Sequence, residues 1–127
     1  MNRKYLYYLP AIIAAIIIYS LSTNTNVQLP KTTWVASDKI AHLGVYAIFH
    51  LIIVWGMLKQ QVWQKIHWNF VLLSLVIASS YGVLMEWVQL LTPGRVFDYA
   101  DMFANIIGTI VGTLILPFIK KYMFRIL

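Results

Sequence analysis

WNFVLLSLVIASSYGVLMEWVQLL, residues 68–91, carries a single charged side chain, Glu86. A helix rises about 1.5 Å per residue, so a stretch of this length crosses the ~30 Å hydrocarbon core of a bilayer. Three more apolar runs accompany it, at about residues 5–22, 40–58 and 102–119. Of the 127 residues, 61% are hydrophobic and 11% charged, where a soluble domain carries about 25% charge. The connections are too short to fold independently. The expectation is an all-α, polytopic membrane protein, a bundle of four transmembrane helices forming one integral domain over residues 1–127.

The first run also has features of a signal peptide. Arg3 and Lys4 precede it, and Ser20-Leu21-Ser22 resembles a small-x-small cleavage site. Its length, Pro10 and its early tyrosines argue for a retained helix instead. There is no cysteine, which excludes disulfides, thiolate metal sites and cysteine nucleophiles. The net charge of +6 does not form one patch, because the basic residues flank the apolar runs. That distribution reads as topology control and not as nucleic-acid binding.

Arg3, Lys4, Lys59, Lys65, Lys120, Lys121 and Arg125 fall on one side of a four-pass arrangement, and Lys31, Lys39 and Arg95 on the other. The positive-inside rule then places both termini in the cytoplasm. Aromatic residues at the segment ends suit the two interfaces, with Tyr5, Trp63, Trp68 and Tyr122 inside and Trp34 and Tyr99 outside. In this orientation all four acids, Asp38, Glu86, Asp98 and Asp101, lie on the extracytoplasmic side. Charges near hydrocarbon are costly, and their convergence is a site hypothesis by default.

Asp38, His42, Tyr46 and His50 recur every four residues and share a helical stripe. Asp38 or Ser37 can cap the helix. His42, a turn deeper beside a carboxylate, can act as general acid or base or can bond a neighbouring helix. His50 lies near mid-membrane, where packing is the simpler role. Glu86 and Gln89 share a face of the third run, and Glu86 sits inside the helix, where it must be paired, protonated or ligating. Its structural reading is a salt bridge to Lys39 or Arg95.

Pro93-Gly94 marks a turn. Asp98, Asp101 and Asn105 then follow at helical spacing, and Gly108 and Gly112 extend their stripe as a G-x-x-x-G surface for close helix approach. The three oxygen-bearing side chains can hold Mg²⁺ or another divalent cation. Their spacing resembles the D-x-x-D-x-x-x-D arrangement of intramembrane prenyltransferases, with asparagine in the last place. The competing reading is a helix cap at Asp98 or Asp101 and an Asp98–Arg95 ion pair. Arg95, with Lys39 opposite, suits a phosphate or carboxylate.

The ordered set Asp38-Lys39-x-x-His42-x-x-x-Tyr46, Glu86-x-x-Gln89, Pro93-Gly94-Arg95 and Asp98-x-x-Asp101-x-x-x-Asn105-x-x-Gly108-x-x-x-Gly112 resembles the VanZ-like family over about residues 38–116. The resemblance implies a small, multi-pass protein of the bacterial cytoplasmic membrane. The founding member is associated with low-level resistance to teicoplanin, a lipid-tailed glycopeptide. The resemblance implies no settled chemistry.

Three functions compete. In a metal-assisted hydrolase or transferase of lipid phosphates or headgroups, His42, Glu86, Asp98 and Asp101 are catalytic. Lys39, Arg95, Gln89, Asn105 and Tyr46 bind substrate, and Asp98, Asp101 and Asn105 hold the cation. In a non-catalytic binder the same residues recognise a polyprenyl phosphate, a phospholipid, a cell-wall precursor or a lipoglycopeptide. In the third reading the charges only lock the helices, with Asp38, Gly108 and Gly112 in structural roles. A channel is disfavoured, because no ladder of ionisable groups continues from His50 to the cytoplasmic side.

Overall fold

The computed structural model describes residues 3–25, 35–60 and 67–125, except for the side chains of 35–37 and 124. Lys31, Trp34, Trp63 and Lys65 lie outside the described residues, as does the side chain of Ser37. A short 3-10 turn, Arg3–Tyr8, leads into α1 (Leu9–Thr23), followed by α2 (Val35–Lys59), α3 (Trp68–Leu90) and α4 (Tyr99–Arg125). All four are long and apolar enough to cross a membrane.

Local chemistry explains the helix limits. Pro10 stands in the first turn of α1, where its missing N–H leaves no hydrogen bond unmade. After α3, the Leu91 and Thr92 amides donate back to the Val88 and Gln89 carbonyls. Thr92-Pro93-Gly94-Arg95 then forms a turn closed by Arg95 N–H to Thr92 C=O at 3.1 Å. Gly94 has φ +79° at its third position, with proline at the second, which is type II chemistry. Asp98 ends the loop, and its Oδ1 accepts the Ala100 N–H at 2.8 Å. That N-cap starts α4 at Tyr99, three residues ahead of the apolar run itself.

The closest packing is between α2 and α4. Gly108 of α4 lies against the Leu43 main chain, and a Cβ at Gly112 would come 2.9 Å from the Ala47 carbonyl oxygen. Glycines four apart on α4 therefore meet residues four apart on α2, the close approach that a G-x-x-x-G surface permits. At Gly82 of α3 an added Cβ would come 2.8 Å from Asn105 Cβ of α4.

One apolar cluster joins Ile18, Tyr46, Phe49, Ile53, Met57, Ala78 and Met85, and a second joins Val54, Leu58, Val71 and Leu116. The outer faces stay apolar, with Ile16, Leu72, Val76 and Leu114 all more than half exposed. Such a surface belongs in hydrocarbon.

His50 is fully buried and joins three helices. Its Nδ1 lies 3.2 Å from Ser74 Oγ on α3 and its Nε2 2.9 Å from Thr113 Oγ1 on α4. Ser74 and Thr113 also bond back to their own helices, their hydroxyls donating to the Val71 and Thr109 carbonyls at 2.8 and 3.1 Å, so His50 ties together two hydroxyls already anchored to α3 and α4. Of α1, only Ile18 is buried among its described side chains. Ala11, Ala14 and Ala15 also pack against the first cluster, and the Tyr81 hydroxyl donates to the Ala15 carbonyl at 2.6 Å.

Candidate functional site

The C-terminal ends of α1 and α3 and the N-terminal ends of α2 and α4 surround one cavity of about 200 Å³. Ile18, Leu21, Val45 and Met85 make its aliphatic walls. Its polar lining comes from Asp38, His42 and Tyr46 on α2, Glu86 and Gln89 on α3, Arg95 in the turn, and Asn105 on α4. Seven of the residues singled out in the sequence thus face one space. Alternating helix directions bring them together, because the stripe that opens α2 is set beside the stripe that closes α3.

Lys39, Asp98 and Asp101 form an ion cluster where α2 meets α4. The Lys39 ammonium donates to Asp98 Oδ2 at 2.7 Å and to Asp101 Oδ1, and lies 3.8 Å from Asp38 Oδ2. Asp98 takes Lys39 as its partner, where the sequence suggested Arg95. Close apposition of α2 and α4 decides this, since it sets their first turns side by side. Arg95 turns the other way: its Nη2 donates to the Asn24 and Leu21 carbonyls at 3.0 and 3.4 Å, capping the end of α1.

The Lys39 hydrogen bond, ahead of an opposing desolvation effect, holds the Asp98 carboxyl below its ordinary range. A depressed folded-state pKa contributes stability above the unfolded value, about 3.9, and loses it as pH falls through the lowered one. Asp98→Asn preserves capping ability and removes the charge. The wild-type advantage in thermal unfolding is expected to shrink toward zero as pH drops below about 4. At neutral pH it is expected to be about 1 kcal/mol or less, because the carboxylate is 46% exposed. An advantage that is constant with pH refutes this assignment.

The oxygens expected to gather a cation at Asp98, Asp101 and Asn105 have other engagements. Asp98 and Asp101 hold Lys39, and Asn105 holds His42, with Asn105 Oδ1 2.9 Å from His42 Nδ1. The amide orientation is set by Asn105 Nδ2, which donates to the Gly82 carbonyl at 3.4 Å. His42 Nδ1 is therefore the donor, and Nε2 faces Asp101 Oδ2 at 3.7 Å and Asp38 Oδ1 at 3.9 Å. Asp38, His42 and Asp101 each offer a ligand atom within 4.8 Å of the others.

Glu86 is 1% exposed. Its Oε2 accepts a long bond from the Asp98 N–H at 3.4 Å, and its Oε1 has no hydrogen-bond partner among the described residues. The Tyr46 hydroxyl, also buried, has none either. Lys39, one of the two partners the sequence suggested for Glu86, is engaged by Asp38, Asp98 and Asp101 instead. Leaving such groups unmatched is expensive in a dry interior.

Sequence reasoning missed the contribution of α1, whose Ile18, Leu21 and Ser22 line the cavity. It also missed Gly82, which seats Asn105. A signal was present: the buried face of α3 runs Ser74, Ala78, Gly82 and Glu86, small residues at four-residue steps leading to the acid.

Four long apolar helices with an ionisable cluster at one end define a multi-pass membrane protein. The chain belongs to the VanZ/LLP1 family, whose model matches residues 5–120 and so takes in α1 as well as the polar motifs. No curated protein and no solved structure matches the chain.

Proposed function

We propose that the cavity binds the polar head of an amphiphilic envelope molecule. The candidates are a phosphate-bearing lipid such as a polyprenyl phosphate or phospholipid, a lipid-linked cell-wall precursor, or a lipid-tailed glycopeptide of the teicoplanin type. The observation that carries this reading is a pair of polar groups without partners among the described residues, Glu86 Oε1 and the Tyr46 hydroxyl, on side chains that line one cavity. A headgroup would satisfy both, while the aliphatic wall from α1 accepts the start of a hydrocarbon tail. Resistance to a lipoglycopeptide would then follow from capture or from competition for a shared envelope lipid.

Turnover has one observation in its favour. His42 Nε2 faces the Asp38 and Asp101 carboxylates, an arrangement suited to general acid–base chemistry. Locking of the helices explains the Lys39 cluster but leaves Glu86 and Tyr46 without a purpose.

Mass spectrometry of lipids retained by the purified protein separates the three. One lipid class enriched about tenfold over bulk membrane, and lost in Tyr46→Phe at unchanged thermal stability, is the expected result. Retention that survives Tyr46→Phe sinks the proposal. Accumulation of the lipid in His42→Ala, with product formed only by wild type, would favour the enzyme.

The lysine and arginine distribution supports a cavity that opens to the extracytoplasmic side, with both termini cytoplasmic. The chain has no cysteine, so one introduced at Leu91, 87% exposed, reports its side. Labelling in intact cells by a membrane-impermeant maleimide is expected. Labelling only after permeabilisation reverses the orientation.

A further inference from the structure

Asp38 and Asp101 divide their oxygens in the same way. Each directs one oxygen to Lys39, Oδ2 of Asp38 and Oδ1 of Asp101, and the other to His42 Nε2 at 3.9 and 3.7 Å. That nitrogen cannot supply the proton such a meeting needs from a neutral ring. Asn105 Oδ1 takes the ring's N–H at Nδ1, and the Gly82 carbonyl keeps the Asn105 amide from turning over. In the neutral tautomer two carboxylate oxygens and an imidazole lone pair therefore converge, the donor set of a metal site.

Charge points the same way. Asp38, Asp98 and Asp101 face one ammonium, Lys39, which leaves two negative charges. Beside them Glu86, 1% exposed and with no partner for its Oε1 among the described residues, lines the same cavity as Asp38 and His42. It lies outside the convergence and is a separate sign that something is bound here.

We propose that Asp38, His42 Nε2 and Asp101 form a binding site for a divalent transition-metal ion of the Zn²⁺ or Mn²⁺ type, with its open coordination positions toward the cavity. Ligand bonds of about 2.0–2.2 Å put neighbouring donors roughly 3.4 Å apart in a tetrahedral site. The observed separations of 3.7 and 3.9 Å need to contract by only a few tenths. A nitrogen in the donor set favours these ions over Mg²⁺, which prefers oxygen throughout. Asn105 is the outer partner that fixes the ligating tautomer, and Lys39 balances the carboxylate oxygens that do not ligate. The bound dication would offer its open positions to a phosphate or carboxylate oxygen. It thus supplies the positive charge toward the cavity that Lys39, committed to its carboxylates, does not.

The test is a titration of chelator-treated, delipidated full-length protein with Zn²⁺, Mn²⁺ and Mg²⁺. One equivalent of Zn²⁺ or Mn²⁺ is expected to bind at least 100-fold more tightly than Mg²⁺. His42→Ala and Asp101→Asn should each weaken binding at least 100-fold, and Asn105→Ala by about 10- to 100-fold. Pulsed electron paramagnetic resonance of the Mn²⁺ form should show coupling to an imidazole nitrogen. This last measurement uses the wild type and decides the matter even if a variant does not fold. Absence of a one-equivalent site, absence of nitrogen coupling, or full affinity in folded His42→Ala overturns the proposal. No lipid enters the titration, so its outcome is independent of the lipid-binding reading.

Discussion

Gly108→Ala is expected to cost more stability than any other single-methyl addition in the seam between α2 and α4. The added Cβ would fall on the Leu43 carbonyl oxygen and crowd the Leu43 Cα. Main chain cannot step aside as a side chain can, so the two helices must part. Overpacking typically costs about 1–3 kcal/mol, and a backbone obstacle places this case at the upper end. At Gly112 the nearest atoms are 2.9 Å away at Ala47 O and 3.0 Å at His50 Cδ2, so a smaller loss is expected there. Gly44, on α2, has nothing within 4 Å of an added Cβ. There alanine removes only the flexibility of glycine and is expected to be neutral or to stabilise by up to about 1 kcal/mol. Thermal unfolding in one detergent ranks the three. An equal change at Gly44 and Gly108 would show that close approach does not govern the seam.

Glu86→Leu is expected to move stability and binding in opposite directions. The native side chain buries a carboxyl with one oxygen unmatched among the described residues, and an unsatisfied buried group costs about 1–3 kcal/mol. Leucine removes that cost at similar volume, so unfolding should shift to higher temperature. The proposed headgroup loses its acceptor at the same time, and retained lipid should fall at least tenfold. A strained or unsatisfied site that lowers stability for the sake of binding is a familiar trade. Glu86→Gln, which keeps an acceptor, should fall between the two. A Glu86→Leu protein that is less stable and binds normally would show that the carboxyl serves the fold.

The spans and the polar stripes were legible because each depends on order along one helix. Four-residue steps predicted that Asp38, His42 and Tyr46 share a face, and all three line the cavity. The glycine pair of α4 was legible for the same reason. Partner choice across helices was not. Arg95 is three residues from Asp98 in sequence, yet the type II turn directs it to α1. Lys39, 59 positions away, reaches the acid instead. That outcome depends on how closely α2 and α4 approach, which no spacing within one segment encodes. Helix limits were legible only approximately, because the polar cap at Asp98, one of two that the sequence offered, lies ahead of the apolar run that hydropathy marks.

Tyr81 and Arg95 both grip α1 through main-chain carbonyls, those of Ala15, Leu21 and Asn24. Any residue has a carbonyl, so these attachments are blind to side-chain identity. In α1, side-chain identity matters at Pro10, at Ala11, Ala14 and Ala15, which pack against the core, and at the cavity-facing Ile18, Leu21 and Ser22. Exchanging Ile18 or Leu21 for a larger or smaller aliphatic residue resizes the cavity mouth without touching the polar groups on α2, α3 and α4, so ligand width and ligand chemistry can be altered separately.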